Sequence, residues 1–366
     1  MSKPSPSIFK VLLLNLVFIL AGLVLVELIF GDWFLPRDPL SRIMIRRNFD
    51  LKYKLNGIYE SDLDTIKYTR DSFGFRGSSV FNKPELVDVI TVGGSTTDQK
   101  YIDDGRTWQQ VMERRFREEG RTVRIANAGV DGQSSTGHIK NFQYWFNYIH
   151  GLKPRYIIFY VGINDIYSAH MDEYDKLFLS RWSRFKTLIW DHSALYELYR
   201  KIRGTRAAII AQVNHRRKLD STTLKFSDTM ILDPREYELY ATKFIPDFKE
   251  RVVKLIEYTK AMGAEPIFVT QSTGRTKVID GKVVGAEDTF GFAESDKKMN
   301  GMGFYKISNM YADAIREACA GRYTVVDLTK NPMWFNIDFY DIHHNSEVGA
   351  EKLGNYLYLQ LKDKIK

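Results

Sequence analysis

Two short segments of this sequence contain the side chains that transfer of an acyl group requires. Segment 93–97 (GGSTT) offers the hydroxyl of Ser95, and segment 341–344 (DIHH) offers imidazoles beside a carboxylate. A serine hydroxyl is a weak nucleophile at neutral pH unless an adjacent base takes its proton. Asp341 precedes His344 by three residues, so its carboxylate can reach that imidazole within one turn and fix its tautomer. We predict Ser95 as nucleophile, His344 as base and Asp341 as its orienting carboxylate, with His343 structural.

Two further segments, 127–132 (NAGVDG) and 162–165 (GIND), contain groups that could stabilise a negatively charged intermediate. Hydrogen-bond donors aimed at the developing oxyanion supply this stabilisation. The backbone amides of Ser95 and Gly132 and the side-chain amide of Asn164 can converge on one oxygen atom. Glycine suits position 132 because it lets the backbone approach a substrate without a Cβ atom in the way.

Each segment alone also has a purely structural interpretation. Ser95 could cap a helix, Gly132 could serve a turn, and Asn164 could be a helix N-cap. The phosphate-loop and dinucleotide patterns are absent, and Thr97 replaces the second glycine of a GxSxG nucleophile elbow. Asp341 with the two histidines could suggest a metal, but no third group of ligands supports one. We therefore predict no metal site.

The rest of the chain alternates strand and helix, which predicts a parallel sheet with helices on both faces. The four segments follow the first, second, third and fifth predicted strands, at the sheet edge where open parallel sheets bind ligands. A polar stretch from Gly31 to about Pro84 is predicted to be irregular, and an insertion occupies about 168–232. The predicted strands are 87–92, 122–126, 156–161, 265–270 and 323–328, and the predicted helices lie near 107–119, 137–149, 235–262, 298–319 and 346–364.

Taken together, the four segments resemble the SGNH (GDSL-like) hydrolase superfamily, as found in membrane-anchored bacterial members. Ser95, Gly132, Asn164 and His344 match its four blocks in chain order, with Asp341 completing the D-x-x-H of the last. The usual G-D-S-L is here 93–96 (GGST), a departure that leaves the nucleophile in place. Segment 71–77 (DSFGFRG) also resembles a leader that precedes the domain in such proteins.

The resemblance implies a three-layer, flavodoxin-like, doubly wound parallel sheet of five strands. It also implies ester hydrolysis or acyl transfer without metal or organic cofactor. The expected substrate is an acylated small molecule or a carbohydrate of the cell envelope or extracellular space. Two alternatives stay open: an O-acyltransferase that uses the same residues, and a non-catalytic protein of this fold that binds polyanions or membranes. No nucleic-acid partner is expected.

The N-terminal segment 8–30 is apolar on all sides and long enough to cross a bilayer. We expect an uncleaved anchor at 1–31, a linker or leader at 32–82 and the hydrolase-like domain at 83–366. No A-x-A signal supports cleavage. Basic residues flank both ends, so the positive-inside rule does not settle orientation, and an extracytoplasmic domain is the default.

Basic residues are concentrated in the insertion. Residues 181–218 contain ten Lys or Arg against two acids, which equals the net charge of +8 of the whole 366-residue chain. We expect this stretch to face anionic lipid or an acidic polysaccharide. The alternative is a solvated face whose apolar stripe packs on the domain. The single cysteine, Cys319, excludes an internal disulfide and a Cys-rich zinc site.

Overall fold

In the computed structural model, most of the chain is described between residues 8 and 366. It falls into two compact units, Met1–Met44 with Phe178–Ile209 and Ile45–Leu177 with Ile210–Lys366, and each unit is treated by itself. The described residues are 8–34, 40, 43, 45, 47–77, 82–169, 182, 185, 189, 192–196, 198–199, 211–212, 224–290, 298–329 and 336–366.

The secondary structure follows the alternation that the sequence predicts. The strands are β1 (Phe49–Lys54), β2 (Thr65–Arg70), β3 (Val89–Gly93), β4 (Ile125–Asn127), β5 (Tyr156–Tyr160), β6 (Ala211–Gln212), β7 (Phe226–Ser227), β8 (Glu265–Val269), β9 (Thr276–Ile279), β10 (Lys282–Ala286) and β11 (Thr324–Val326). The helices with described bounds are α1 (Ile8–Phe30), α2 (Ser95–Asp98), α3 (Trp108–Glu118), α4 (Ser135–Tyr144), α5 (Ile163–Ser168), α6 (Pro234–Leu239), α7 (Ile245–Ala261), α8 (Gly301–Cys319) and α9 (Glu347–Leu361). A π-helical turn, Tyr240–Phe244, joins α6 to α7.

The central sheet has five strands in the order β11-β8-β5-β3-β4. All four pairings are parallel, so each connection must cross over a face of the sheet. The chain enters this sheet at β3 and forms β4 beside it. It then crosses to β5 on the other side of β3 and continues outward to β8 and β11. This is the predicted doubly wound α/β fold, and each of the five predicted strands overlaps one of these.

Side chains that alternate along the strands build a core on each face of the sheet, as the period of two requires. On one face, Ile158 and Tyr160 of β5 join a cluster with Trp108 and Phe116 of α3 and Leu357 of α9. On the other face, Phe159 packs against Phe142 of α4 and Phe268 of β8. The sheet is thus the middle of three layers.

The prediction that the stretch from Gly31 to about Pro84 is irregular is wrong for residues 49–70. Here β1 and β2 pair as an antiparallel hairpin, and β6 adds to β1 in parallel. The hairpin has one apolar side: Tyr53 and Ile66 pack with Tyr101 and Tyr340 of the α/β unit. Segment 49–54 (FDLKYK) alternates apolar and charged residues, the signature of a half-buried strand. A second small antiparallel sheet, β7-β10-β9, was also not predicted.

The other unit contains α1 and part of the insertion. Helix α1 has 23 residues and a mean hydropathy of 2.7 over its most apolar window, long and apolar enough to cross a membrane. None of its residues is buried against the protein. Described positions of the insertion from 182 to 199 are mostly helical. The ten basic residues of 181–218 lie outside the described residues.

Candidate active site

Ser95 lies at the carboxyl end of β3, the neighbour of the central strand β5, on a tight turn. Strand β3 ends at Gly93, Gly94 is the N-cap, and Ser95 begins the one-turn helix α2. A Cβ atom on Gly93 would lie 2.6 Å from the carbonyl oxygen of Tyr160. A Cβ atom on Gly94 would lie 2.0 Å from the Asn164 Nδ2 atom. The two glycines therefore let the nucleophile segment lie directly against the neighbouring strand and against Asn164.

Ser95, His344 and Asp341 form a continuous chain of hydrogen bonds. The Nε2 atom of His344 lies 2.7 Å from Ser95 Oγ, and its Nδ1 atom lies 2.7 Å from Asp341 Oδ2. The other carboxylate oxygen, Oδ1, accepts from the backbone amides of His343 at 2.9 Å and His344 at 2.8 Å. Since an ionised carboxylate only accepts, we assign the proton of neutral His344 to Nδ1. Nε2 can then accept the serine proton.

Opposing effects of burial and charge set the pKa values of this pair. Burial alone would raise the pKa of Asp341, but the hydrogen bond and charge of His344 and the two backbone amides lower it to about 2. Burial alone would lower the pKa of His344, but the hydrogen bond and charge of Asp341, with the carboxylates of Asp131 and Asp98, raise it above its usual value. The carboxylate thus stays ionised at neutral pH and makes the imidazole a stronger base.

His343 points away from Ser95 and is held in a separate set of contacts. Its Nε2 atom is hydrogen-bonded to the hydroxyl of Tyr167, and its Nδ1 atom lies 3.4 Å from Thr273 Oγ1. The ring also packs against Phe304. Burial lowers the pKa of His343 to about 3, so it is neutral at physiological pH. This placement fits the structural role that the sequence predicts.

The three predicted oxyanion donors come from neighbouring segments. Asn164 Nδ2 donates to the carbonyl oxygen of Gln133 at 2.9 Å, which places it beside Gly132 as well as against Gly94. Gly132 has φ +75°, a conformation that favours glycine. Within the described part of the chain, the Gly132 and Ser95 amides have no acceptor. Asn164 does not cap α5, whose N-cap is Gly162, so the capping alternative fails.

Arg70 is a residue of the site region that sequence reasoning missed. Its guanidinium Nη2 donates to Asp98 Oδ1 at 2.8 Å and to the carbonyl oxygen of Gly129 at 2.6 Å. Asp98 is in the nucleophile helix α2, and Gly129 is in the loop between β4 and α4, which also contains Gly132. The Arg70 and Asp98 side chains are 5% and 2% exposed. The hairpin therefore ties the nucleophile segment to the oxyanion loop through one buried ion pair.

The surroundings of His344 are aromatic. Tyr340 stacks on the imidazole with ring centroids 5.5 Å apart and planes 8° from parallel. Tyr101 meets Tyr340 edge to face, and Tyr59, from the connection between β1 and β2, stacks on Tyr340 with centroids 6.0 Å apart. Among the residues that the structure describes, no group of three or more His, Cys, Asp or Glu could hold a metal ion.

Comparison with known proteins gives structural likeness without close sequence likeness. No protein-family model matches this chain, and no curated protein matches it. It is similar to the crystal structure of an acetyl xylan esterase, AlAXEase, at 13% identity and a TM-score of 0.43, over 75% of this chain and 98% of that chain. It is also similar to a lipolytic protein of the G-D-S-L family from Veillonella parvula, at 15% identity and a TM-score of 0.40, with the same shares covered. The structure of TesA matches at 12% identity and a TM-score of 0.40, again over 75% and 98%.

The surroundings of the two adjacent histidines predict that the pKa of His344 is raised and the pKa of His343 is lowered. His344 should protonate with a pKa above 6.5 because of Asp341, and His343 should stay neutral from about pH 5 upward. Nitrogen NMR of the chain labelled at histidine measures both. In Asp341→Asn, the carboxylate that contributes most to offsetting burial is gone, so the pKa of His344 should fall. A His344 pKa that stays unchanged in Asp341→Asn would show that Asp341 does not set the basicity of this imidazole.

Proposed function

We propose that this chain is a serine ester hydrolase of the SGNH type. The observation that carries the proposal is the chain of hydrogen bonds from Ser95 through His344 to Asp341, which joins residues 249 positions apart in sequence. An acyl transfer site needs a nucleophile in contact with a base, and that base in contact with an orienting group. The Asn164 amide against Gly94 adds a donor next to the nucleophile.

In the proposed mechanism, Ser95 Oγ attacks the carbonyl carbon of the ester while its proton passes to His344 Nε2. The carbonyl electron pair moves to oxygen, where the amides of Ser95 and Gly132 and the side chain of Asn164 stabilise the negative charge. When the carbonyl reforms, the bond to the alcohol breaks and His344 returns its proton to the leaving oxygen. A water molecule, deprotonated by His344, then attacks the acyl-Ser95 ester. The bond from the acyl carbon to Ser95 Oγ breaks, His344 returns the proton to Oγ, and the acid is released.

The substrate class that we propose is an acylated carbohydrate of the cell envelope or extracellular space. Supporting features are the tyrosines beside the base, since aromatic faces suit sugar rings, and the apolar helix α1, which would hold the enzyme at a membrane. The catalytic unit would lie on the extracytoplasmic side. An O-acyltransferase would use the same residues and differ in the acceptor, a sugar hydroxyl in place of water. A non-catalytic protein would have no need of the full hydrogen-bonded triad.

A panel of acyl esters tests the proposal and separates its alternatives. The purified full chain should release free acid from small acetyl esters, and Ser95→Ala should lower turnover by at least about 10³-fold because its nucleophile is gone. The control is Ser72→Ala, which removes a hydroxyl bonded to Asn82 outside the site and should leave turnover unchanged. Transfer to an added acceptor glycan in place of acid release would identify the acyltransferase. Equal turnover in Ser95→Ala would refute both enzymatic alternatives.

A matched pair of asparagine variants tests the oxyanion assignment. Asn164→Ala should lower kcat by about 10²–10³-fold with little change in KM, because the donor acts mainly in the transition state. Asn300 caps α8 by accepting from the amide of Gly303, so Asn300→Ala should instead lower the free energy of unfolding by about 1–2 kcal/mol. Steady-state kinetics and urea unfolding of both variants measure the contrast. If Asn164→Ala lost only stability, Asn164 would have no place in the oxyanion hole.

A further inference from the structure

A carboxylate in the apolar helix α1 links that helix to the insertion. Glu27 accepts hydrogen bonds from the indole of Trp33 at 2.8 Å and from the Ser193 hydroxyl at 2.6 Å. It also accepts from the backbone amides of Leu195 at 3.1 Å and Ala194 at 3.2 Å. These amides belong to the first turn of a helical stretch, so Glu27 acts as a cap supplied by a residue far away in sequence.

A second set of contacts holds the same two segments together just beyond the end of α1. The Asp32 amide donates to the carbonyl oxygen of His192 at 2.9 Å, and His192 Nδ1 lies 2.7 Å from the carbonyl oxygen of Asp32. The ring centroids of Trp33 and His192 lie 5.9 Å apart. Residues 192–195 are therefore fixed beside the last turn of α1 and the residues that follow it, from Glu27 to Trp33.

The length of α1 sets the depth of this junction in a bilayer. Its 23 residues span about 34 Å, slightly more than a hydrocarbon core of about 30 Å. If α1 is centred in the core, Glu27 lies about 12 Å from the midplane, just inside the hydrocarbon boundary. A carboxylate at this depth is costly unless its hydrogen bonds are satisfied within the protein. The donors of Trp33 and 193–195 satisfy it there.

We propose that Glu27 holds residues 192–199 at the boundary between hydrocarbon and headgroups, so that α1 and this segment form one membrane-interface surface. The partner is the phospholipid bilayer that contains α1. Among the described residues of the insertion, Trp182, Phe185, Leu198 and Tyr199 are each at least half exposed, and aromatic side chains suit the interface. In the sequence, 181–218 contains ten basic residues, a charge that attracts anionic headgroups, and the bilayer that contains α1 supplies such headgroups.

The depth of a spin label at position 198 tests this proposal in the full chain. Leu198→Cys provides the site, because Cys319 is buried and burial raises the pKa of its thiol to about 12, which leaves it unreactive. In vesicles of phosphatidylcholine, relaxation by oxygen and by a water-soluble nickel complex should place the label at headgroup depth. Neutral lipid isolates the Glu27 contact from the basic residues. A label as exposed to nickel as one on a soluble surface would overturn the proposal.

Variants of α1 separate the Glu27 contact from membrane insertion itself. Glu27→Ala makes α1 more apolar, so the chain should still float with the vesicles while the label moves into water. Leu25→Ala, at an apolar residue of the same helix that is 57% exposed, should leave the label depth unchanged. Ser193→Ala removes one donor and should shift the label in the same direction by a smaller amount. An unchanged depth in Glu27→Ala would show that Glu27 does not hold the segment.

Anionic lipid tests the contribution of the basic stretch. With phosphatidylglycerol in the vesicles, the label in Glu27→Ala should return toward headgroup depth, and high salt should abolish that return because charge attraction is screened. No return at low salt would contradict the preference for anionic headgroups. If an acidic polysaccharide in solution displaced the label from phosphatidylglycerol vesicles, it would contradict the choice of lipid as partner. None of these readouts depends on ester hydrolysis, so the proposed function can fail independently.

Discussion

The proposed chemistry depends on one imidazole held in one tautomer between a hydroxyl and a carboxylate. His344 can accept the Ser95 proton only if its Nδ1 atom keeps a hydrogen, and the ionised carboxylate of Asp341 secures that hydrogen. Asp341 is itself fixed by two backbone amides of its own turn. The charge that orients the base is therefore positioned from within the four-residue segment 341–344.

The sheet brings this segment to the nucleophile, and close backbone contacts fix the remaining parts. Parallel strands place the segments after β3, β4 and β5 at one edge, although they are far apart in sequence. Gly93 and Gly94 then allow contacts that any Cβ atom would prevent. Arg70 joins α2 to the oxyanion loop from the other side, so the hairpin before the sheet is part of the support of the site.

Sequence alone predicts the parts of this arrangement that have a local pattern of residues. The five parallel strands have short β-rich runs, and Ser95 and the Asp341–His344 spacing are visible as motifs. The β1–β2 hairpin also had a pattern, in the alternation of 49–54, but its polar composition and its position before the sheet favoured a linker. Arg70 and Glu27 had none, because the bonds to Asp98 and to Ser193 span 28 and 166 positions, and only the tertiary fold brings those residues together.

Covalent labelling of the full chain with a serine-directed fluorophosphonate, read by peptide mass spectrometry, tests the triad most directly. The phosphorus traps a serine only when a neighbouring base activates it, so labelling reports the contact between Ser95 and His344 without knowledge of the substrate. We expect modification at Ser95 alone, and almost none in His344→Ala, whose fold should persist. Modification of another serine, or equal labelling of Ser95 without His344, would contradict the proposed triad.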